Sequence, residues 1–331
     1  MPTVLITPES MRDQPAPYVD SLSRAGFEVR YPENPELSRG LTTDEETIAE
    51  LEGVAAVLAG GELFNRRVMT ALPELRVIAR VGVGYDRVDV AAATERGIVV
   101  TITPTANHEA VAEQTLALLF AVAKRLVVND QATRAGHWRR TLTRPVRGQT
   151  LGILGLGRIG RSMALRGLGV GMKVLATETY PDEEFVAKHG IELVNLETLL
   201  ASSDYLSIHC PLNDETRGMF NAELFAKMKP NSVLLNTSRG PLVVEADLLR
   251  ALEEGPLGAA GLDVFEQEPT SPENPLFKLD NVVVSPHIAG TDSRSMEDMG
   301  IEAAGCITTL QNGKWPTGAV VNDELRENWK W

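Results

Sequence analysis

Short apolar runs alternate with helix-like stretches through the second half of the chain. The strand-like runs are residues 151–154, 173–177, 205–209, 232–236, 259–263 and 282–285. Near-continuous apolar strands that alternate with helices are typical of a parallel sheet covered by helices on both faces. This alternation predicts an α/β domain with a doubly wound parallel sheet.

A glycine-rich turn follows the first strand of this series. Gly155, Gly157 and Gly160 have GxGxxG spacing, directly after an apolar run and before a helix-like stretch. Such glycines allow a tight turn, close approach of a pyrophosphate to bare backbone, and close packing of helix on strand. The helix N-terminus, at Arg158 and Ile159, offers free N–H donors to the phosphates. The context favours a dinucleotide site over a chance turn, which the spacing alone also fits.

Glu178 ends the next strand, near the roughly 20-residue spacing expected of an acid that binds the adenosine ribose hydroxyls. No arginine follows at Thr179 or Tyr180, so a ribose 2′-phosphate would meet a carboxylate without compensation. These residues predict NAD rather than NADP as cofactor. The competing interpretation of Glu178 is a solvated loop charge.

The first hundred residues show the same alternation, and 331 residues exceed the usual size of a single core. A helix predicted at 296–310 can return to pack on the N-terminal part. The predicted division is therefore 1–102 with 288–331 as the substrate domain, and 103–287 as the NAD-binding domain. The predicted fold class is α/β, with two Rossmann-like domains, doubly wound parallel sheets, and a discontinuous N-terminal domain completed by the C-terminal helix.

Charge and cysteine content limit the partners. The 32 basic and 45 acidic residues give a formal charge of -13, which opposes attraction to nucleic acid and to anionic membranes. The two cysteines have no metal-binding spacing, so no disulfide and no metal site is indicated. No signal-peptide pattern occurs, and no apolar run approaches the roughly 20 residues that span a bilayer. We expect a cytoplasmic protein without nucleic-acid or membrane partners.

Reactive side chains lie in three segments that follow the later strands. Arg239, Glu268 and His287 fall in residues 236–240, 263–269 and 285–290. A guanidinium can bind a carboxylate and polarise a carbonyl, and an imidazolium can protonate the alkoxide that hydride transfer leaves. A carboxylate beside the imidazole would favour its charged form and fix its tautomer. Taken singly, each residue also fits a surface charge, a loop or a satisfied hydrogen-bonding group.

The order and spacing of these motifs resemble the D-specific 2-hydroxyacid dehydrogenase family, which includes phosphoglycerate dehydrogenase and glyoxylate/hydroxypyruvate reductase. The resemblance runs from about Arg80 to Gly290. It implies that Arg239, Glu268 and His287 take the family's arginine, acid and histidine roles, and that the arginine and histidine also bind substrate. The implied activity is NAD-dependent interconversion of a small anionic D-2-hydroxy acid and its 2-keto acid.

The resemblance also implies further contacts. Backbone N–H groups of Val83 and Gly84, in the glycine loop after Arg80, would bind the substrate carboxylate, although a connecting turn also fits. A strand-capping role is the alternative for Asp263, which the resemblance places near the nicotinamide. The remaining cofactor contacts are implied for His209, Pro211, Thr237, Asp263 and Gly290.

The substrate stays open between 3-phosphoglycerate, hydroxypyruvate and glyoxylate. Arg80 matches an arginine before the glycine loop of phosphoglycerate dehydrogenases, which favours phosphoglycerate. The upstream segment 58–64 departs from the arginine- and serine-containing pattern of those enzymes, and Glu62 would repel a phosphate if it faced the site.

Two other functions fit the fold. One is an NADH-sensing binding protein of the C-terminal binding protein co-repressor type, although no partner-docking tail or basic segment is evident. The other is a different enzyme on the same nucleotide fold, which would act on no 2-hydroxy or 2-keto acid. The resemblance further implies a homodimer, with a predicted helix at 110–127 and the arm after it near the interface. A plain core helix is the alternative there.

Overall fold

A computed structural model describes residues 1–12 and 15–331. These residues contain twelve β-strands: β1 (Thr3–Ile6), β2 (Glu28–Arg30), β3 (Val54–Ala59), β4 (Val77–Arg80), β5 (Val99–Thr101), β6 (Thr150–Leu154), β7 (Lys173–Thr177), β8 (Glu192–Leu193), β9 (Tyr205–Ile208), β10 (Ser232–Asn236), β11 (Leu257–Leu262) and β12 (Val282–Val284).

The same residues contain twelve α-helices: α1 (Pro17–Arg24), α2 (Asp44–Glu50), α3 (Arg66–Ala71), α4 (Val90–Glu95), α5 (His108–Ala123), α6 (Leu126–Arg134), α7 (Arg158–Gly169), α8 (Glu183–His189), α9 (Leu196–Ser202), α10 (Ala222–Ala226), α11 (Glu245–Glu253) and α12 (Ser293–Gln311). None of these described helices combines the length and the apolarity needed to cross a bilayer.

The chain divides into two compact units. Unit 1 is Met1–Asn107 with Thr291–Trp331, and unit 2 is His108–Gly290. Both divisions fall a few residues later than the predicted boundaries after 102 and 287. The first follows from the start of α5 at His108. The second reflects hydrogen bonds that hold the backbone after His287 to a carboxylate of unit 2.

Unit 2 contains a parallel sheet with the described strand order β12-β11-β10-β9-β6-β7-β8. The order reverses at β6, whose neighbours are β9 and β7. In open α/β sheets ligands bind beyond the carboxyl ends of the strands, at such a switch point. The glycine turn after β6 therefore lies where this topology places a ligand.

Unit 1 contains a parallel sheet with the described order β2-β1-β3-β4-β5, the other common doubly wound arrangement. Its core includes residues of α12, among them Met299, Ala303 and Ile307. Gly300 permits close packing of α12 on α1, because a Cβ there would lie 2.7 Å from Cε1 of Tyr18. The predicted fold class, with a first domain completed by the C-terminal helix, is confirmed.

The predicted helix at 110–127 is wrong in its extent. α5 ends at Ala123, Arg125 has a φ of 50°, and α6 begins at Leu126. The carbonyl of Ala123 accepts the N–H of Arg144 at 2.9 Å. This bond satisfies one of the carbonyl groups at the C-terminal end of α5. Leu119 and other residues of the apolar face of α5 belong to the core of unit 2.

The last residues of the chain pair with the edge of the unit 1 sheet. Val320 forms an antiparallel bridge with Thr101 of β5. The buried side chain of Asn322 continues this pairing, because Oδ1 accepts from Val100 N at 2.9 Å and Nδ2 donates to Ile98 O at 2.8 Å. The amide group thus replaces a strand partner at this edge, which the sequence did not indicate.

Candidate active site

The three glycines of the turn after β6 have different surroundings. Gly155 has a φ of 93°, and a Cβ there would lie 2.8 Å from the backbone of His209. A Cβ at Gly160 would collide with the carbonyl of Gly155, whereas a Cβ at Gly157 would meet nothing within 4 Å. Gly155 and Gly160 therefore serve packing, and Gly157 leaves open space at the start of α7.

The N-terminus of α7 can receive an anion. Gly157 is the N-cap residue and has no side chain to accept the first N–H groups of the helix, which include those of Arg158 and Ile159. Such N–H groups and the helix dipole favour a phosphate. The open space beside Gly157 and the N–H groups together fit the pyrophosphate of a dinucleotide.

Glu178 lies beside the same turn. Its Oε2 accepts the N–H of Leu156 at 2.7 Å, and its Oε1 accepts the N–H groups of Thr179 at 2.8 Å and Tyr180 at 3.0 Å. The carboxylate thus joins the end of β7 to the glycine turn. Glu178 thus lies at the end of β7, beside the glycine turn, where the sequence predicted an acid that binds the adenosine ribose. Its hydrogen bonds to backbone N–H groups were not predicted.

His209 and Thr237, which are also predicted cofactor residues, have polar partners within the protein. Nε2 of His209 lies 2.8 Å from Oγ of Ser207, and the hydroxyls of Thr237 and Thr115 lie 2.7 Å apart. Burial lowers the pKa of His209 to about 4, so the ring is neutral near pH 7. Pro211 is exposed, and like His209 it lies in the segment that follows β9.

His287 pairs directly with Glu268. Nδ1 of His287 lies 2.7 Å from Oε2 of Glu268, and Oε1 of the same carboxylate accepts the N–H of Phe265 at 2.9 Å. The imidazole is 47% exposed and the carboxylate 22%. The pairing at Nδ1 leaves Nε2 as the ring nitrogen directed to other groups. The adjacency that the sequence predicted for these two residues is present.

Asp263 organises the loop that carries His287. Its buried carboxylate accepts the hydroxyl of Ser285 at 2.5 Å and the N–H groups of Ile288 at 3.0 Å and Ala289 at 2.8 Å. Its own carbonyl accepts the N–H of His287 at 2.7 Å. These bonds hold His287 at a φ of 54°, a conformation uncommon for residues other than glycine. Asp263 therefore positions the histidine backbone, whatever else it contacts.

Arg239 follows β10 in a turn held by Asn236. Nδ2 of Asn236 donates to the carbonyl of Arg239 at 2.9 Å, and Oδ1 of Asn236 accepts the N–H of Ser238 at 3.0 Å. The next residue, Gly240, has no space for a Cβ because the carbonyl of Phe265 lies against it. Since Phe265 is also held by Glu268, the arginine turn packs against the loop of the acid.

Arg239, Glu268 and His287 thus follow the neighbouring strands β10, β11 and β12 in unit 2. The predicted substrate residues Arg80, Val83 and Gly84 belong to unit 1. There, Nε of Arg80 donates to the carbonyl of Gly84 at 3.1 Å. The arginine therefore holds the glycine loop from within, which the sequence did not predict.

Sequence reasoning missed the residues that support the site. Asn236 holds the arginine turn, and Gln114 of α5 donates to Ser285 at 3.1 Å and so reaches the histidine loop. Asn236 carried one signal, since a polar residue that closes an apolar strand at the carboxyl edge is suited to a turn contact. Gln114 carried none, because its partner is far away in the sequence.

A doubly wound sheet with a glycine turn at its switch point, and an imidazole–carboxylate pair beyond neighbouring strands, defines a dinucleotide-dependent oxidoreductase. Residues 116–289 match the family model for the D-isomer specific 2-hydroxyacid dehydrogenase, NAD binding domain. The chain belongs to this family, it is an NAD-dependent dehydrogenase, and its resemblance to the family is confirmed.

Named relatives extend the match beyond the NAD-binding domain. A glyoxylate reductase of Korarchaeum cryptofilum is 40% identical over 286 residues, which are 85% of each chain. A D-3-phosphoglycerate dehydrogenase of Archaeoglobus fulgidus is 38% identical over 298 residues, which are 89% of this chain and 55% of the relative. The chain thus spans about half the length of the second relative. These names give no support to the co-repressor alternative.

Solved structures show the same fold. A protein of Thermus thermophilus superposes with a TM-score of 0.85 at 36% identity, covering 96% of this chain and 100% of that one. A glyoxylate reductase from Paecilomyes thermophila gives a TM-score of 0.82 at 29% identity, covering 98% and 99%. The similarity therefore includes both units.

Proposed function

We propose that this dehydrogenase interconverts small 2-keto acids and D-2-hydroxy acids, with glyoxylate or hydroxypyruvate as substrate. The observation that carries the proposal is the pairing of His287 with Glu268 beyond the strands of a dinucleotide-binding sheet. Relatives named glyoxylate reductase, matched over 79% to 86% of their length, support the choice of substrate. Relatives named phosphoglycerate dehydrogenase keep a phosphorylated acid as the competitor to test.

His287 would move the proton of the reaction. NADH held by unit 2 would supply the hydride for the carbonyl carbon of the keto acid. The resulting alkoxide takes a proton from Nε2 of His287, while Nδ1 keeps its bond to Glu268 and the carboxylate stabilises the charged imidazole. Because the ring is 47% exposed, solvent can restore the proton. Oxidation of the hydroxy acid runs the same transfer in reverse.

Arg239 would orient the substrate. Its planar guanidinium can donate to the carboxylate and to the carbonyl oxygen of a 2-keto acid together, and so favours negative charge on that oxygen. In unit 1, which we assign as the substrate domain, the backbone N–H groups of Val83 and Gly84 would bind a substrate carboxylate. Arg80 would hold that loop through the carbonyl of Gly84.

The cofactor would be held by residues of unit 2. Gly157, with the N–H groups of Arg158 and Ile159, would form the pyrophosphate site, and Gly155 and Gly160 would allow the tight turn and close packing that present it. Glu178 would accept the ribose hydroxyls and disfavour a 2′-phosphate. Contacts to the rest of the cofactor are proposed for His209, Pro211, Thr237, Asp263 and Gly290.

The proposal includes a homodimer in the cytoplasm. α6 has no buried residue, and the segment after it exposes 81% of Trp138 and 99% of Leu142. Large apolar side chains on a surface arm favour association. Light scattering of the purified protein should give twice the chain mass, and Trp138→Glu with Leu142→Glu should lower it. A monomeric wild-type protein would contradict this part of the proposal.

A substrate panel tests the activity. Purified protein is mixed with NADH and with glyoxylate, hydroxypyruvate, pyruvate or phosphohydroxypyruvate, oxidation is followed by absorbance, and the product is resolved by chirality. We expect turnover of the unphosphorylated acids, with D products from hydroxypyruvate and pyruvate and an achiral product from glyoxylate. We also expect a higher kcat/KM with NADH than with NADPH. Absence of turnover with every acid, or an L product, would overturn the proposal.

A further inference from the structure

Glu62 of unit 1 is a fully buried acid. It has 0% relative exposure, and its carboxylate oxygens form no well-aligned hydrogen bond with the described residues, although the hydroxyl of Thr7 and the N–H of Gly60 lie near them. Burial raises the pKa of Glu62, and the charge of Arg80 opposes this effect. Burial of a carboxyl group without strong partners opposes folding. The stability of the protein therefore does not explain why Glu62 occupies this position.

The nearest cation is Arg80, at the end of β4. Its Nη1 lies 4.0 Å from Oε2 of Glu62, and its side chain is only 11% exposed. Nη1 also donates to the carbonyl of Gly60, and Nε to the carbonyl of Gly84. The guanidinium is thus surrounded by internal acceptors and a counter-charge, all within unit 1.

This arrangement affects anions that approach the glycine loop. A guanidinium without a counter-charge would attract a phosphate or a second carboxylate. In its ionised form, Glu62 with Oε2 at 4.0 Å from Nη1 of Arg80 would cancel much of that attraction, and in a poorly screened interior its charge would repel a second anion. Backbone N–H groups at Val83 and Gly84 keep their partial positive charge, so a single carboxylate is still accepted there.

We propose that Glu62 is a specificity-determining residue, which compensates Arg80 and so restricts the enzyme to 2-keto acids with one anionic group. The inference rests on the proposed function, since it requires that the loop from Val81 to Gly84 receives the substrate carboxylate. Glyoxylate and hydroxypyruvate, whose carbonyl carbon carries a hydrogen or a hydroxymethyl group beside the carboxylate, satisfy this restriction. Keto acids with a phosphate do not.

The test compares hydroxypyruvate with phosphohydroxypyruvate at about pH 8, well above the ordinary carboxyl pKa, because the raised pKa of Glu62 calls for a higher pH to favour its ionised form. In the wild-type enzyme kcat/KM should be at least about tenfold higher for hydroxypyruvate. In Glu62→Gln this ratio should fall at least about tenfold, mainly through the KM of the phosphorylated acid. The exposed Glu52→Gln, which makes the same change in net charge, should leave the ratio unchanged.

A binding measurement separates this inference from the activity. Thermal unfolding is followed with increasing 3-phosphoglycerate, which requires no turnover. The ligand should raise the Tm of Glu62→Gln more than that of the wild type. A wild-type preference for the phosphorylated acid would overturn the inference even if Glu62→Gln failed to fold. An unchanged ratio in folded Glu62→Gln would also overturn it, whereas no turnover of any keto acid would instead reject the proposed function.

Discussion

Nδ1 of His287 lies 2.7 Å from Oε2 of Glu268, and this distance assigns different work to the two nitrogens of the ring. The carboxylate is itself fixed by the N–H of Phe265 at 2.9 Å. With Nδ1 bonded to a fixed acceptor, the ring orientation and tautomer are determined, and Nε2 carries the exchangeable proton. A proton donor in a defined place is what reduction of a carbonyl requires.

Replacing the proton donor should stop catalysis without preventing cofactor binding. His287→Ala should lower kcat by about 10²–10⁴-fold, the usual contribution of general acid catalysis. Glu268→Gln should give a smaller loss, because the amide no longer stabilises the charged ring. NADH affinity, measured by fluorescence titration, should stay close to wild type in both. His137→Ala, at an exposed position, is the control. Near-wild-type turnover of His287→Ala would rule out the assigned role.

Two glycine replacements in the GxGxxG segment should affect different properties, NADH affinity in one variant and stability in the other. Gly157→Ala meets no atom within 4 Å, so its unfolding free energy should change by about 1 kcal/mol or less, while its methyl group occupies the pyrophosphate space. NADH affinity should fall at least about tenfold. Gly160→Ala collides with Gly155 and should lose about 1–3 kcal/mol of stability. Denaturant unfolding and NADH titration check both variants. Unaltered NADH affinity in Gly157→Ala would place the cofactor elsewhere.

Asp263→Asn should damage both stability and turnover. The carboxylate accepts three hydrogen bonds from the histidine loop, and an amide can accept at only one of its two polar atoms. Each buried donor left unsatisfied costs about 1–3 kcal/mol, and kcat should fall with the displaced His287. The exposed Asp280→Asn serves as control. A variant with normal kcat and normal unfolding would show that the loop does not depend on Asp263.

The neutral ring of His209 should make stability depend on pH. Its pKa is lowered to about 4 from the ordinary value of 6.5, so the unfolded chain binds a proton in this interval and the folded chain does not. The unfolding free energy should therefore fall as pH drops from 6.5 towards 4, by about 3 kcal/mol at most from this group. His209→Gln should show a shallower decline in urea titrations at several pH values. His137→Gln should decline like wild type, and so should His209→Gln if the ring is in fact solvated.

The strands of both units were predictable where a run of apolar residues marks a strand buried on both faces. The strands β2 and β8 were missed because they are short, lie at sheet edges and contain charged residues. The break after Ala123 was missed because the composition continues as a helix while the backbone turns at Arg125. Local sequence patterns indicate which residues are buried and which secondary structure they favour. The positions of edge strands and turns depend instead on contacts between residues that are distant in the sequence.

The site shows the same division. The pairing of Glu268 with His287 was expected, because residues that follow neighbouring parallel strands meet at one edge. The bonds from Asp263 to the backbone of the histidine loop, and from Glu178 to Leu156, were not expected. Each joins a side chain to a backbone group more than 20 residues away, and any polar residue at those positions would give the same sequence pattern.

The position of α12 has a consequence for synthesis of the protein. Unit 1 is made first by the ribosome, yet its core includes α12, which is translated only after all of unit 2. Until α12 is made, the nascent N-terminal sheet has this apolar face covered only in part, by residues such as Tyr18 and Leu22 of α1, while the chain up to Gly290 already contains every described strand and helix of unit 2. The domain that begins translation is therefore the one that completes folding last, and in this interval its incompletely covered apolar surface favours aggregation.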